Sequence, residues 1–160
     1  MSYIAHRKRH AVRFFAASQD EKQHRKKEAL QQMTLEESLK KIAASVDAPL
    51  SLFIRIPDSL NADERMRKFD DPIEDNLQWL GLGTITGGAT RRADADEGED
   101  PPILYCGIEV DLYDVVRGVP MLCAELRSLD APRGTQIELS LEGEPFTIDV
   151  WEAESYLHES

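Results

Sequence analysis

The sequence predicts an α+β domain: a ferredoxin-like split βαβ sheet, mostly antiparallel, with an extra C-terminal strand and a helical N-terminal arm ahead of it. Three observations carry this expectation. From residue 49 onward the apolar period switches from helical spacing to alternation. The elements then run strand, helix, strand, strand, helix, strand, strand, and the first six match the order βαββαβ. Most of the strands alternate apolar and polar residues. That pattern suits a sheet with one face packed on helices and the other free.

The arm comes first. Residues 1–18 lack caps and periodicity and read as disordered. Residues 19–32 are rich in Glu, Gln, Lys and Ala, with good helix propensity but a thin apolar stripe. Thr34 and Glu37 form a capping-box pattern. Behind it Leu35, Leu39, Ile42 and Val46 line one face of a helix over about 34–46. The expected division is a basic helical arm over 1–47 and an α+β domain over 48–160.

In the domain, Leu50, Leu52, Ile54 and Ile56 alternate with Ser51, Phe53 and Arg55, which predicts a strand. Asn61 and Glu64 cap a short helix over 62–69. Asp71 before Pro72, with Glu74 following, predicts a new helix start, and Gly81 its end. Ile73, Leu77 and Leu80 face inward in that reading, with Trp79 flanking. Residues 82–90 read as a strand in which Gly87-Gly88 marks a bulge or a close approach of backbone. Residues 91–102 are a hairpin tip rich in acids. Leu104, Cys106, Ile108, Val110 and Leu112 form the clearest alternating strand. Pro120 is expected near the first position of a helix whose stripe is Val119, Leu122, Cys123, Leu126 and Leu129. Ile137, Leu139 and Leu141, then a tight turn at Glu142-Gly143-Glu144, then Phe146, Ile148 and Val150 predict a closing hairpin.

Charge narrows the function. The 160 residues carry a net charge of -11, unevenly spread. Residues 1–30 net +5 and residues 31–160 net -16. An acidic body repels phosphate backbones, so nucleic acid is expected only through residues 1–30, if at all. No apolar run reaches the roughly 18 residues of a membrane span, and no signal peptide is read. Cys106 and Cys123 sit in apolar patterns and fit free buried thiols of a cytoplasmic protein.

No catalytic constellation emerges. His6, His10, His24 and His158 lie in the arm or the tail, so the domain lacks the commonest general base. No convergent ligand set suggests a metal, and no cofactor is expected. The glycine-rich stretch 81–88 follows a helix rather than opening one, unlike a phosphate-cradling loop. Glu109 and Asp111 share one strand face about 6–7 Å apart. Such a pair can do acid-base work, but in an acidic protein it also reads as solvated surface.

The outer face of the sheet is the most informative surface. Alternation places there Phe53, Arg55, Ile85, Tyr105, Glu109, Asp111, Glu138, Asp149 and Trp151. Aromatics among carboxylates on an open sheet predict a protein-binding surface, with Phe53, Arg55, Tyr105, Glu109, Asp111, Glu138 and Trp151 as the partner-binding residues. The same pattern suits a face covered by the N-terminal helices, or a homodimer seam. An RNA-binding sheet would pair its aromatics with Lys and Arg instead.

The stretch Leu80-Gly-Leu-Gly-Thr-Ile-Thr-Gly-Gly-Ala-Thr90, with Gly107-Ile-Glu-Val-Asp-Leu-Tyr113 and Asp130-Ala-Pro-Arg-Gly-Thr135, resembles a group of small bacterial proteins that includes immunity proteins of secreted toxin systems. The resemblance covers about residues 75–140. It departs at Gly87-Gly88-Ala89-Thr90, where that group has Gly-Gly-Gly-Thr. It implies an immunity protein; together with the acidic body, the missing catalytic constellation and the open sheet with aromatics, the expectation is a cytoplasmic, non-enzymatic protein that neutralises a basic toxin domain by occlusion. Two other readings stay open beside it. One is a small-molecule sensor or enzyme using residues 81–88 and nearby carboxylates. The other is a nucleic-acid-associated protein acting through the basic arm.

Overall fold

The computed structural model describes Glu21 and residues 34–153. The readings of residues 1–18 and 154–160, and of the 19–32 helix apart from Glu21, lie outside the described residues. The chain divides into two compact units, Met1–Thr34 and Leu35–Ser160. The second unit contains α1 (Leu35–Ser45), β1 (Leu50–Ile56), α2 (Ala62–Arg65), a π-helical turn (Met66–Asp70), α3 (Asp71–Leu80), β2 (Gly83–Arg92), β3 (Ile103–Leu112), α4 (Val115–Ser128), β4 (Gln136–Leu141) and β5 (Glu144–Asp149). It is an α+β unit whose five strands form one antiparallel sheet in the order β2-β3-β1-β4-β5.

Strand alternation is the reason the core lies on one side. Leu50, Leu52, Ile54 and Ile56 of β1 are buried with Cys106, Ile108, Val110 and Leu112 of β3. Ile137, Leu139 and Ile148 extend that face across the closing hairpin. Leu39, Ile42, Phe69, Ile73, Leu77, Val119, Leu122 and Leu126 of the helices are fully buried against it. Each such side chain contributes roughly 1.5–3 kcal/mol. Helix α1 packs on α4 and joins this core, so its stripe does not cover the outer face. The compact unit therefore begins at Leu35, upstream of the expected boundary at 47/48.

Several local expectations need correction. The helix expected to start at Asp71 continues directly from the π-helical turn. Asp70 and Asp71 are both helical, at φ -61 and -60, and Asp70 makes no capping bond. The widened turn ends just before Pro72, whose missing N–H would break an ordinary α ladder. The cap lies upstream: Asn61 Oδ1 accepts from the Glu64 N–H at 2.9 Å, and Asn61 Nδ2 donates to Glu64 Oε1 at 2.7 Å. Leu80 is half-exposed rather than inward, since the helix turns away at Gly81 (φ +66).

Pro120 is not at a helix start. Helix α4 begins at Val115, where the Asp114 side chain caps it by accepting from the Arg117 N–H at 3.1 Å, and Pro120 lies inside. Alternation predicts Leu104 inward, but it is 55% exposed. Tyr105 pairs with Arg91 and Ile103 with Arg92, so Leu104 is the unpaired residue of an irregularity. The closing hairpin matches expectation. Its turn residues Glu142 and Gly143 have φ +52 and +82, as a two-residue primed turn needs.

Candidate partner-binding face

Register decides which predicted residues share a surface. On the face away from the helices, Phe53 of β1 stands between Glu109 of β3 and Glu138 of β4. One step along β1, Arg55 stands between Gly107 and Gln136. Ser51 faces Asp111, and its hydroxyl donates to Asp111 Oδ1 at 2.6 Å. Tyr105 completes the group: the Arg55 guanidinium lies 4.5 Å from its ring centre. Six of the seven predicted site residues, Phe53, Arg55, Tyr105, Glu109, Asp111 and Glu138, are therefore gathered on one patch of β1, β3 and β4.

Glycines let this patch lie flat. The Phe53 ring rests on Gly107 so closely that a Cβ there would overlap it. The Glu109 carboxylate sits over Gly87 in the same way. Gly88 faces the opposite side, and the Arg65 guanidinium fills the space a side chain would take. Gly83 packs against the Asp111 backbone. The protein's own groups thus occupy the space beside the glycine-rich strand.

The charges on the patch are partly matched. Arg55 Nε lies 2.9 Å from Glu138 Oε1, an ion-pair distance. Its N–H nevertheless finds no acceptor in hydrogen-bonding line, so the attraction is coulombic. Both side chains are partly solvated, which limits such a pair to at most about 1 kcal/mol. Stacked on Tyr105 and paired with Glu138, Arg55 is held in place, and among the described residues Glu109 and Asp111 form the end of the patch without an ion pair.

Two predicted members of the outer face lie elsewhere. Ile85 faces the core: it pairs with Val110, and the register shift between Ile85 and Gly87 resets the alternation after it. Trp151 follows β5 and is committed to the turn after α4. Its indole N–H donates to Ala131 O at 3.0 Å and Pro132 O at 3.2 Å, and Arg133 lies 4.5 Å over its ring. Asp149 accepts from the backbone N–H groups of Trp151 and Glu152 at 2.9 and 3.0 Å.

Sequence reasoning missed two polar devices that hold β2 to the helices. Arg65 and Asp70 form a buried pair, with Nε–Oδ1 and Nη2–Oδ2 both at 3.2 Å, and Arg65 Nη1 donates to Ala89 O at 3.3 Å. They are five residues apart, a spacing that a π turn aligns and an α-helix does not. Burial nevertheless keeps the Asp70 carboxyl above its ordinary value, outweighing the attraction of Arg65. Glu74 accepts from the Ile85 N–H at 2.6 Å, the Thr84 hydroxyl at 2.8 Å and Gln78 Nε2 at 2.7 Å. Burial alone would push its carboxyl up, but these bonds together hold it below the usual value.

Burial pushes both thiols, Cys106 and Cys123, up to about 11, so each stays protonated at neutral pH. Among the described residues, no group of three or more His, Cys, Asp or Glu side chains converges as metal ligands would. Among the same residues, no helix is long and apolar enough to cross a membrane. The four histidines lie outside the described residues. No family model matches the chain, and neither the curated proteins nor the solved structures provide a match.

Proposed function

We propose that this protein is a non-enzymatic binding module that presents the sheet face opposite helices α1–α4 to a basic protein partner. The observation that carries this reading is the patch itself: Phe53 laid flat on Gly107, Arg55 fixed by Tyr105 and Glu138, and Glu109 and Asp111 beside them. A flat aromatic with a fixed arginine next to it loses little side-chain entropy on association. Uncompensated carboxylates steer a cationic partner and act mainly on the association rate. The concrete form of the proposal is a cytoplasmic immunity protein that occludes a basic toxin domain. The filled space beside Gly83, Gly87 and Gly88 supports a protein partner over a small molecule bound there.

We also infer that the domain is a split βαβ, ferredoxin-like fold with one added strand. The antiparallel order β2-β3-β1-β4-β5, with helical crossovers after β1 and β3, supports that assignment.

The test is charge reversal at Glu109→Lys and Asp111→Lys, with association rates to a co-encoded basic protein measured at low and high salt. The expected result is an association rate reduced at least tenfold at low salt, with the difference shrinking at high salt. Rates that ignore both substitutions would refute the assignment of this face.

A further inference from the structure

A second surface lies at the end of the sheet where α3 meets β2 and β3. Trp79 is 88% exposed at the last turn of α3, and Leu80 after it is half-exposed. Gly81 then turns the chain, and Leu82 O accepts from the Tyr113 N–H at 2.8 Å. That bond brings Tyr113, itself 55% exposed, beside the end of α3. A tryptophan, a leucine and a tyrosine thus stand in solvent around one chain reversal. Neither Leu82 nor Leu112, their immediate neighbours, is exposed. The core therefore has inward residues at this corner, and the three outward ones add nothing to it.

Charge identifies what would cover them. Helix α3 contains Asp71, Glu74 and Asp75 and no Lys or Arg. Asp75 is one turn before Trp79, on the same side of the helix. Asp114 adjoins Tyr113, and Asp111 precedes it by two residues. Arg117, in the first turn of α4, is the nearest basic residue in sequence. The acidic body of a second copy, residues 31–160, would set these carboxylates against their own kind, and an anionic lipid surface would repel them. A partner surface with an apolar centre and a cationic rim meets both features.

We propose that Trp79, Leu80 and Tyr113 form an aromatic anchor for a cationic amphipathic protein segment, with Asp75 and Asp114 gripping its lysines or arginines. The proposal rests on the reading of the protein as a binding module, but on a different surface from the sheet face. Exposed tryptophan is the side chain most often found at the energetic centre of an interface. The basic rim supplies steering, and the aromatic anchor slows release.

The test uses a fluorescently labelled Leu/Lys amphipathic helical peptide, with poly-lysine of equal charge as the comparison. Peptide anisotropy gives affinity, and the difference between wild type and Trp79→Phe emission isolates Trp79. The expected result is a blue shift of Trp79 and binding at least tenfold tighter than to poly-lysine. Trp79→Ala should weaken binding at least tenfold without altering the fold, given its exposure. Asp75→Asn with Asp114→Asn should weaken it at low salt and flatten its salt dependence, and Asn keeps the α4 cap. Equal affinity of the Trp79→Ala variant, or equal binding of poly-lysine, would overturn the proposal. So would self-association of the protein alone that Trp79→Ala abolishes, which would give the surface to a second copy. Loss in Trp79→Ala with none in Glu109→Lys keeps the peptide on this anchor and leaves the sheet face to its own test; loss in Glu109→Lys with none in Trp79→Ala puts the peptide on the sheet face and overturns the proposal.

Discussion

Phe53 and Gly107 show how much one hydrogen atom decides on this surface. The ring occupies the volume of the missing Cβ, so the glycine is required by a close approach and not by its backbone angle. Gly107→Ala should destabilise the fold by about 1–3 kcal/mol, read as a lower denaturant midpoint. Adding Phe53→Ala should recover part of that loss, because the two effects share one contact and are not additive. The sequence predicts a bulge or a close approach of backbone at Gly87-Gly88. The bulge lies one residue earlier, at Thr86, and the groups that approach the two glycines are side chains, Glu109 over Gly87 and Arg65 over Gly88. What remained hidden was which side chain each glycine admits, since that depends on partners 22 and 23 residues away.

The elements themselves were largely legible, because alternation and capping are local signals. Leu50 to Ile56, the Asn61 cap, the Gly81 stop and the Glu142-Gly143 turn all stand where the pattern puts them. The misreadings cluster at prolines. Pro72 and Pro120 each predict a helix start, yet each lies in a helical segment that begins earlier. The competing signals were Asp114 for α4 and a π-helical turn before Pro72, and a π turn has no simple sequence period. The N-cap can be tested directly. Asp114→Ala should lower stability by about 1 kcal/mol, while Asp114→Ser should retain most of it, measured by thermal unfolding. Parity failed in β2 for a similar reason: a bulge resets the alternation, so Ile85 turned to the core.

For the whole molecule, two carboxyls make opposite contributions as pH changes. Glu74 is held below its ordinary value of 4.5. Its contribution is therefore present above that pH and lost as pH falls through the lower folded-state value. Asp70 is raised above 3.8, so its contribution is present below that pH and lost as pH rises through the folded-state value. Glu74→Gln should lower the urea midpoint at about pH 7, and the gap should narrow as the pH falls below 4.5 and through the lowered folded-state value, where the wild-type carboxyl takes up its proton. An unchanged gap would mean that Glu74 acts through shape alone. The candidate face was legible in six of its seven residues because β1, β3 and β4 alternate strictly there. Trp151 was not, because its position depends on how the chain leaves β5. The ties from Arg65 and Glu74 also matter for copies of the protein meeting in solution. A sheet ends in strands whose free backbone groups invite pairing, the first step toward fibrils. On β2, Glu74 already takes the Ile85 N–H and Arg65 already takes the Ala89 carbonyl. At the other edge, Pro145 withholds an N–H from β5. Both rims of this sheet therefore carry obstacles to edge-to-edge aggregation, and on β2 they are supplied by the helical layer.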